Sequence, residues 1–343
     1  MSITLNGTTG ITTPTTSATD EFVTSVTAFK NRIINGAMMI DQRNAGAAVT
    51  VVSSMYTLDR FFAYRGGFAA GMQVQRVAGF LGNQYSARLQ RVSGNTSVAG
   101  LNYGQVFESA NILDLAGNSV TVSFDVRTGA NYSGGQLRVE LDTSTAIDQT
   151  SAQLLAGSWT GIVAQTNLIS ITSTATRYST TFSVPSNMQS MAVQFTWTPT
   201  GTAGTNDFIE ISGVQLEKGS TATSFDYRPY TTELQLCQRY YWKSTQSANT
   251  NGGLGFAIGN GSGYGRWQFN LPVQMRATPT ITQSNMTLYN FSSSANITSI
   301  SANFSTVNNI SVDGAASGAV GSNTLLLVYM NGALAYADAS AEL

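Results

Sequence analysis

The chain has no histidine, one cysteine, six prolines and little charge, and these shortages remove whole classes of function. Without histidine, the commonest general base and the commonest metal ligand are missing, so a Ser-His-Asp triad is excluded. Cys237 stands alone, which excludes an intramolecular disulfide and a cysteine-ligated zinc site. Only 10% of the 343 residues are charged, against roughly 25% in an ordinary globular protein. Net charge is −1, and phosphate neutralisation needs clustered Lys and Arg, so nucleic acid is not an expected partner. No apolar run approaches the roughly 20 residues of a membrane span, and no basic–apolar–small pattern opens the chain. The expectation is a soluble chain made in the cytosol, with no cofactor, no nucleic-acid partner and no membrane insertion.

Serine, threonine, asparagine and glycine stand where charge is missing, and the length is enough for two or three domains. Residues 1–20 are nearly all Thr, Ser, Gly and small apolar residues, a composition that cannot form its own core. Asp20 can cap a short helix, after which Phe22, Val26, Phe29 and Ile33 recur at spacings of 4, 3 and 4. That spacing is an a/d seam, a candidate for self-association in a three-fold bundle, with a single helix lying on the next domain as the alternative.

From Arg60 to Leu216 the period is two. Val120, Val122, Phe124 and Val126 point one way and Thr121, Ser123, Asp125 and Arg127 the other. Leu137, Val139 and Leu141 oppose Arg138, Glu140 and Asp142, and Val193, Phe195 and Trp197 share a core face. Short alternating strands separated by turns read as a sandwich. Ile209 and Ile211 are out of phase with Val214 and Leu216, so a bulge is expected near Ser212-Gly213. Asn35-Gly36 is a turn signal. After residue 244 the alternation of Trp267, Phe269 and Leu271 and later strands reads as a second, smaller β-sandwich, with Asn331-Gly332 as a hairpin turn.

Between the two modules lies GVQLEKGSTATSFDYRPYTTELQLCQRYYWKS, residues 213–244. Pro229 keeps Arg228 extended, Thr232 and Gln235 fit a capping box, and Leu234, Cys237 and Tyr241 fall on one helical face. A linker helix over 231–244 is expected.

This stretch resembles a segment of bacteriophage tail-fibre and virion appendage proteins, in which a carbohydrate-binding-module-like jelly roll hands over to a C-terminal domain. NRIINGAMMIDQRN with YTLDRFF (31–62), RYSTTFSVPS (177–186), LPVQMRATPTIT (271–282) and the final SAEL share that resemblance. It implies an all-β chain: an extended N-terminal arm (1–30), a jelly roll (31–230), the linker helix (231–244) and a C-terminal β-sandwich (245–343). It also implies a structural, non-enzymatic virion protein assembled in the host cytoplasm and released by lysis. The expected form is a homotrimeric tail fibre that docks to another virion protein through its arm and touches host surface polysaccharide. A capsid- or neck-attached fibre with a decoration or assembly role is an alternative.

The chemistry-bearing candidates are few. Glycan hydrolysis needs two carboxyl groups roughly 5–10 Å apart across the bond. Glu140 and Asp142 lie about 7 Å apart by strand rise, which keeps a glycan-degrading virion enzyme as another alternative. Asp59-Arg60 reads as a structural ion pair at a sandwich edge. The resemblance places a structural calcium near 212–214, but Ser212-Gly213-Val214 lacks the expected acidic ligands, and Asp207 and Glu210 nearby do not by themselves make a site. Glycan contact rests on exposed aromatics; Trp159, in Gly-Ser-Trp-Thr-Gly, and Tyr264, in Gly-Ser-Gly-Tyr-Gly, are the candidates.

Overall fold

A computed structural model of the chain describes residues 4–6, 10–12, 30–66, 71–245, 252–261, 263–316, 320–331 and 335–343. The expected seam residues Phe22, Val26 and Phe29 lie outside these. A short hairpin pairs β1 (Thr4–Asn6) with β2 (Gly10–Thr12). Two six-stranded antiparallel sheets then face each other. The first runs β12 (Thr176–Ser183), β9 (Ser119–Thr128), β14 (Phe208–Lys218), β7 (Tyr85–Arg91), β6 (Met72–Ala78), β3 (Val49–Thr50). The second runs β11 (Val163–Ile169), β10 (Leu137–Ser144), β13 (Ser190–Trp197), β8 (Leu101–Phe107), β5 (Phe62–Arg65), β4 (Met55–Tyr56). From β8 onward the chain crosses repeatedly between the sheets, as a jelly roll does.

The two-residue period explains the layering. Val120, Val122, Phe124 and Val126 of β9 meet Leu137, Val139 and Leu141 of β10 and Val193, Phe195 and Trp197 of β13, all buried in one core. Phe124 packs edge-on against Phe195 with ring centroids 4.8 Å apart. Ile33 is fully buried in this core, so it is not available to a self-association seam. The expected bulge is present: the β14–β9 register slips between Ser212 and Gln215. Gly213 makes it possible, with φ +56° and a position where a Cβ would fall 2.3 Å from the Asp125 Oδ2. At the Asn35-Gly36 turn, Asn35 takes φ +63° and its side chain bonds both the N–H and the carbonyl of Ile40.

The second module differs from the sandwich expected. Six strands close into a barrel in the order β16 (Gly252–Asn260), β17 (Tyr264–Asn270), β21 (Asn309–Ala316), β20 (Ser294–Ala302), β19 (Met286–Tyr289), β22 (Ser322–Met330). Closure leaves no edge strand to protect, and Trp267, Leu288, Ile310, Val312, Leu326 and Val328 fill the interior. A three-stranded sheet, β15 (Tyr241–Thr245), β23 (Tyr336–Ser340), β18 (Thr280–Ser284), lies beside it. β22 and β23 therefore do not form the hairpin that Asn331-Gly332 signalled: one belongs to the barrel and the other to the side sheet.

Two helices are described, α1 (Ser151–Leu155) and α2 (Tyr230–Gln238). The linker helix is shorter than expected and starts earlier, because Pro229 itself is the N-cap, without a side-chain cap bond. Thr232 thus sits inside the first turn, and no Thr232–Gln235 capping box forms. The reciprocal box is at α1, between Thr150 and Gln153. Cys237 and Tyr240 are fully buried against Ile34, Ile40, Phe62 and Val106, whereas Tyr241 has already entered β15.

The chain end returns to the sandwich. Glu342 pairs with both Arg60 and Arg43, and the Leu343 carbonyl accepts from the Ser151 N–H at 3.1 Å. Arg60 stacks over Tyr240 at 3.6 Å and donates to the Val106 carbonyl at 2.6 Å. Asp59 accepts from Gln42 instead. The expected Asp59–Arg60 pair is replaced by separate partners: both residues lie in the turn before β5, where Arg60 takes φ +70°.

Candidate functional site

The middle of the outer face of the first sheet, on β9 and β14, is not open to water. Thr121, Ser123 and Asp125 of β9 and Gln215 and Glu217 of β14 alternate away from the core, yet all are buried. Residues 219–229 cross over them as a strap, and buried polar groups require partners. Glu217 accepts from the N–H and hydroxyl of Thr223, at 2.9 and 2.6 Å. The Gln215 Oε1 accepts from the Asp226 N–H at 2.8 Å. Asp125 accepts from Asn83 at 2.7 Å and pairs with Arg177 at 3.2 Å. The polar side of each strand is thus the bed on which the strap lies.

The strap, the 82–84 turn, residues 36–39 and the start of α2 enclose a cleft of about 280 Å³. Phe225, Tyr227 and Tyr230 supply its aromatic surface, and Gln84, Asp226 and Glu233 its polar rim. Tyr227 and Tyr230 are 57% and 55% exposed. Phe225 meets Tyr227 edge-on, with centroids 4.6 Å apart and planes at 76°. The Tyr227 hydroxyl donates towards the Asn83 Oδ1 at 3.2 Å, which fixes the ring while leaving a face free. Burial, with the Asp125 charge adding to it, raises the Tyr227 phenol, so it stays a neutral donor.

The charged groups around the cleft already have partners. Arg228 bonds the Ile33 carbonyl at 2.9 Å, the Asn31 carbonyl, and the Glu233 carboxylate at 3.2 and 3.3 Å. Glu233 also accepts from the Asn35 N–H. Asp226 accepts from the N–H groups of Lys30 and Asn31 at 3.0 and 3.3 Å. What remains is a shallow aromatic and amide surface of the kind that stacks and hydrogen-bonds an uncharged polar ligand.

The residues singled out from sequence are scattered. Trp159 is 4% exposed, contrary to expectation. Its ring packs with Leu154 and Leu343, and its indole N–H donates to the Thr150 carbonyl at 2.9 Å; its flanking glycines shape a turn rather than display a ring. Tyr264 is 43% exposed at the start of β17 on the barrel wall. Sequence reasoning missed Phe225, Tyr227 and Tyr230, although the alternation of aromatic and charged residues in Phe-Asp-Tyr-Arg-Pro-Tyr was a readable signal.

Glu140 and Asp142 lie together on the outer face of the second sheet. The Gln194 amide donates to Asp142 at 2.6 Å and to Glu140 at 3.3 Å, and Arg138 pairs with Glu140 at 3.2 Å. Burial, then the neighbouring Glu140, raises the Asp142 carboxyl strongly. Two carboxyl groups on one amide leave no gap between them for a scissile bond. The acids near the bulge are also satisfied: Asp207 pairs with the buried Arg91 at 2.8 Å, and Glu210 sits between Arg88 and Arg127 at 2.6 Å from each. Guanidinium groups stand where a cation would, and among the described residues no cluster of three or more acidic, cysteine or histidine side chains is present.

No protein-family model matches the sequence, and comparison with curated proteins gives no match. Among solved structures, one likeness is to the enzymatically active domain of tailspike protein 4 of bacteriophage CBA120, at 15% identity and TM-score 0.32. It covers 55% of this chain and spans only 21% of that one. The xylan-binding domain CBM22-1 of Xyn10C from Paenibacillus barcinonensis matches at 13% identity and TM-score 0.29, covering 52% of this chain and 99% of that one. The module TmCBM61, in complex with β-1,4-galactotriose, matches at 12% identity and TM-score 0.33, over 55% of this chain and 99% of that one. All three are partial likenesses.

Proposed function

We propose that this chain is a non-enzymatic, homotrimeric tail fibre or appendage of a tailed-phage virion. Its 219–230 strap cleft contacts neutral sugar residues of the host surface polysaccharide, and residues 1–30 dock to another virion protein. The observation that carries glycan contact is the pairing of two half-exposed tyrosines with a polar rim whose charges are already matched. Sugar rings offer apolar C–H faces to such rings and hydroxyls to amide and carboxylate edges. An anionic sugar would need a free cation, and Arg228 is committed to Glu233 and two carbonyls. A cleft just below the roughly 300–1,000 Å³ range of ligand sites grips a short stretch of glycan weakly, and several copies on one virion supply avidity.

The test is binding of labelled full-length protein to intact host cells, with free surface polysaccharide as competitor. Saturable binding abolished by the polysaccharide, and weakened at least tenfold by Tyr230→Ala, is expected. Absence of binding by folded protein would overturn host contact and favour a capsid- or neck-attached decoration role.

A further inference from the structure

The outer wall of the barrel carries an apolar stripe that the cleft does not use. In a barrel whose interior is filled, outward positions face water and are expected to be polar. Most here are Ser, Thr, Asn or Gln, but two successive cross-strand rows of β16 and β22 are not. Phe256 pairs with Leu327 and Ile258 with Leu325, and the first row continues from Leu327 to Tyr289 on β19. Phe256 and Ile258 are each 60% exposed, and Leu325 is 54% exposed. Tyr289 extends the stripe through ring contacts with Phe291 at 5.6 Å and Tyr329 at 6.4 Å.

Phe256, Ile258 and Leu325 alone leave on the order of 300 Å² of apolar side chain in water, the size of the largest patch on a typical monomer. A standard interface buries about 800 Å² per partner around such a core. Charge then selects the occupant. No charged residue lies between Lys243 and Arg266 or between Asp313 and Asp338, and the nearest pair on the wall, Arg266–Asp313 at 2.6 Å, is mutually satisfied. The patch offers a foreign partner no complementary charge to steer or specify it. It suits an identical surface, since a copy brings no like charge against itself. The sequence carries a second, separate association signal in the spacing of Phe22, Val26 and Phe29.

We infer that the β16–β22 wall, centred on Phe256, Ile258 and Leu325, is a contact between copies of this chain. This rests on the reading of the protein as an oligomer, and adds where the copies touch. The full-length chain is measured by sedimentation velocity over a concentration series, beside Phe256→Glu/Leu325→Glu and a control, Leu168→Glu, at an exposed position of β11. Far-UV circular dichroism and thermal melting verify folding, and Ile258→Ser, which adds no charge, serves if the double variant unfolds. The expected result is a wild-type and control mass of several copies, with at least a tenfold rise in dissociation constant for the wall variants. A wild-type mass of several copies that the wall variants leave unchanged would overturn this contact while leaving oligomerisation standing. A monomeric wild type would overturn both.

Discussion

Asp142 shows at the scale of one residue how the strand pattern places the carboxyl pair on the outer face without recording what covers it. Alternation put Glu140 and Asp142 on the outer face, but exposure there depends on what the rest of the chain lays over them. Asp142 is 1% exposed and shares the Gln194 amide with Glu140. Its carboxyl is raised above the unfolded value of about 3.9. The native state therefore holds a proton that the unfolded chain has lost, and stability falls as pH rises from about 4 through the native value. Asp59, pushed up to about 6 chiefly by burial, adds a second loss between about pH 4 and 6. Asp142→Asn keeps the shape and removes the titration. The variant is expected to melt higher than wild type at pH 8 and to lose most of that advantage at pH 5; scans at the two pH values check this. Glu140→Gln is expected to leave no hydrolytic activity to lose, read as absent release of reducing ends from host polysaccharide by either protein. Trp159 carries the converse lesson: glycines around an aromatic signal a turn, and only the packing of α1 and the chain end decides that the ring points inward.

At the scale of elements, the strands, their core faces and the bulge at Ser212-Gly213 were legible, because period and phase are properties of neighbouring residues. The strap was legible only as a linker. Its role depends on polar positions of β9 and β14, which sequence shows as solvent-facing. Gly213 ties the two together: its φ of +56° and the nearby Asp125 carboxylate exclude a side chain. Gly213→Val is expected to cost roughly 1–3 kcal/mol, measured by urea denaturation, and to disturb the strap, so glycan affinity falls with stability. Tyr227→Phe removes the hydroxyl anchor to Asn83 but keeps the ring. Affinity is expected to fall only a few-fold, against tenfold or more for Tyr227→Ala, in titrations with the same polysaccharide.

At the scale of the molecule, the all-β sandwich was readable and the barrel was not. Closure is set by long-range pairing of β16 with β22, which no local period records. The join between modules was equally hidden. Glu342, one residue from the end of the sequence, neutralises Arg60, which is 1% exposed. Removing one partner of a buried pair strands the other, so Glu342→Ala is expected to destabilise the chain by about 3–5 kcal/mol, visible in a denaturant midpoint. The final SAEL was notable by resemblance; in this chain it contributes this ion pair and the Leu343 carbonyl that accepts from Ser151.

Glycan contact through the strap cleft is tested by calorimetric titration of a defined oligosaccharide of the host surface polysaccharide into the full-length protein, Tyr230→Ala and Tyr264→Ala. The strap cleft predicts binding by wild type and Tyr264→Ala and loss of at least tenfold in affinity for Tyr230→Ala, with all three proteins equally folded. Binding that survives Tyr230→Ala and disappears in Tyr264→Ala would move the glycan site to the barrel wall and contradict the cleft.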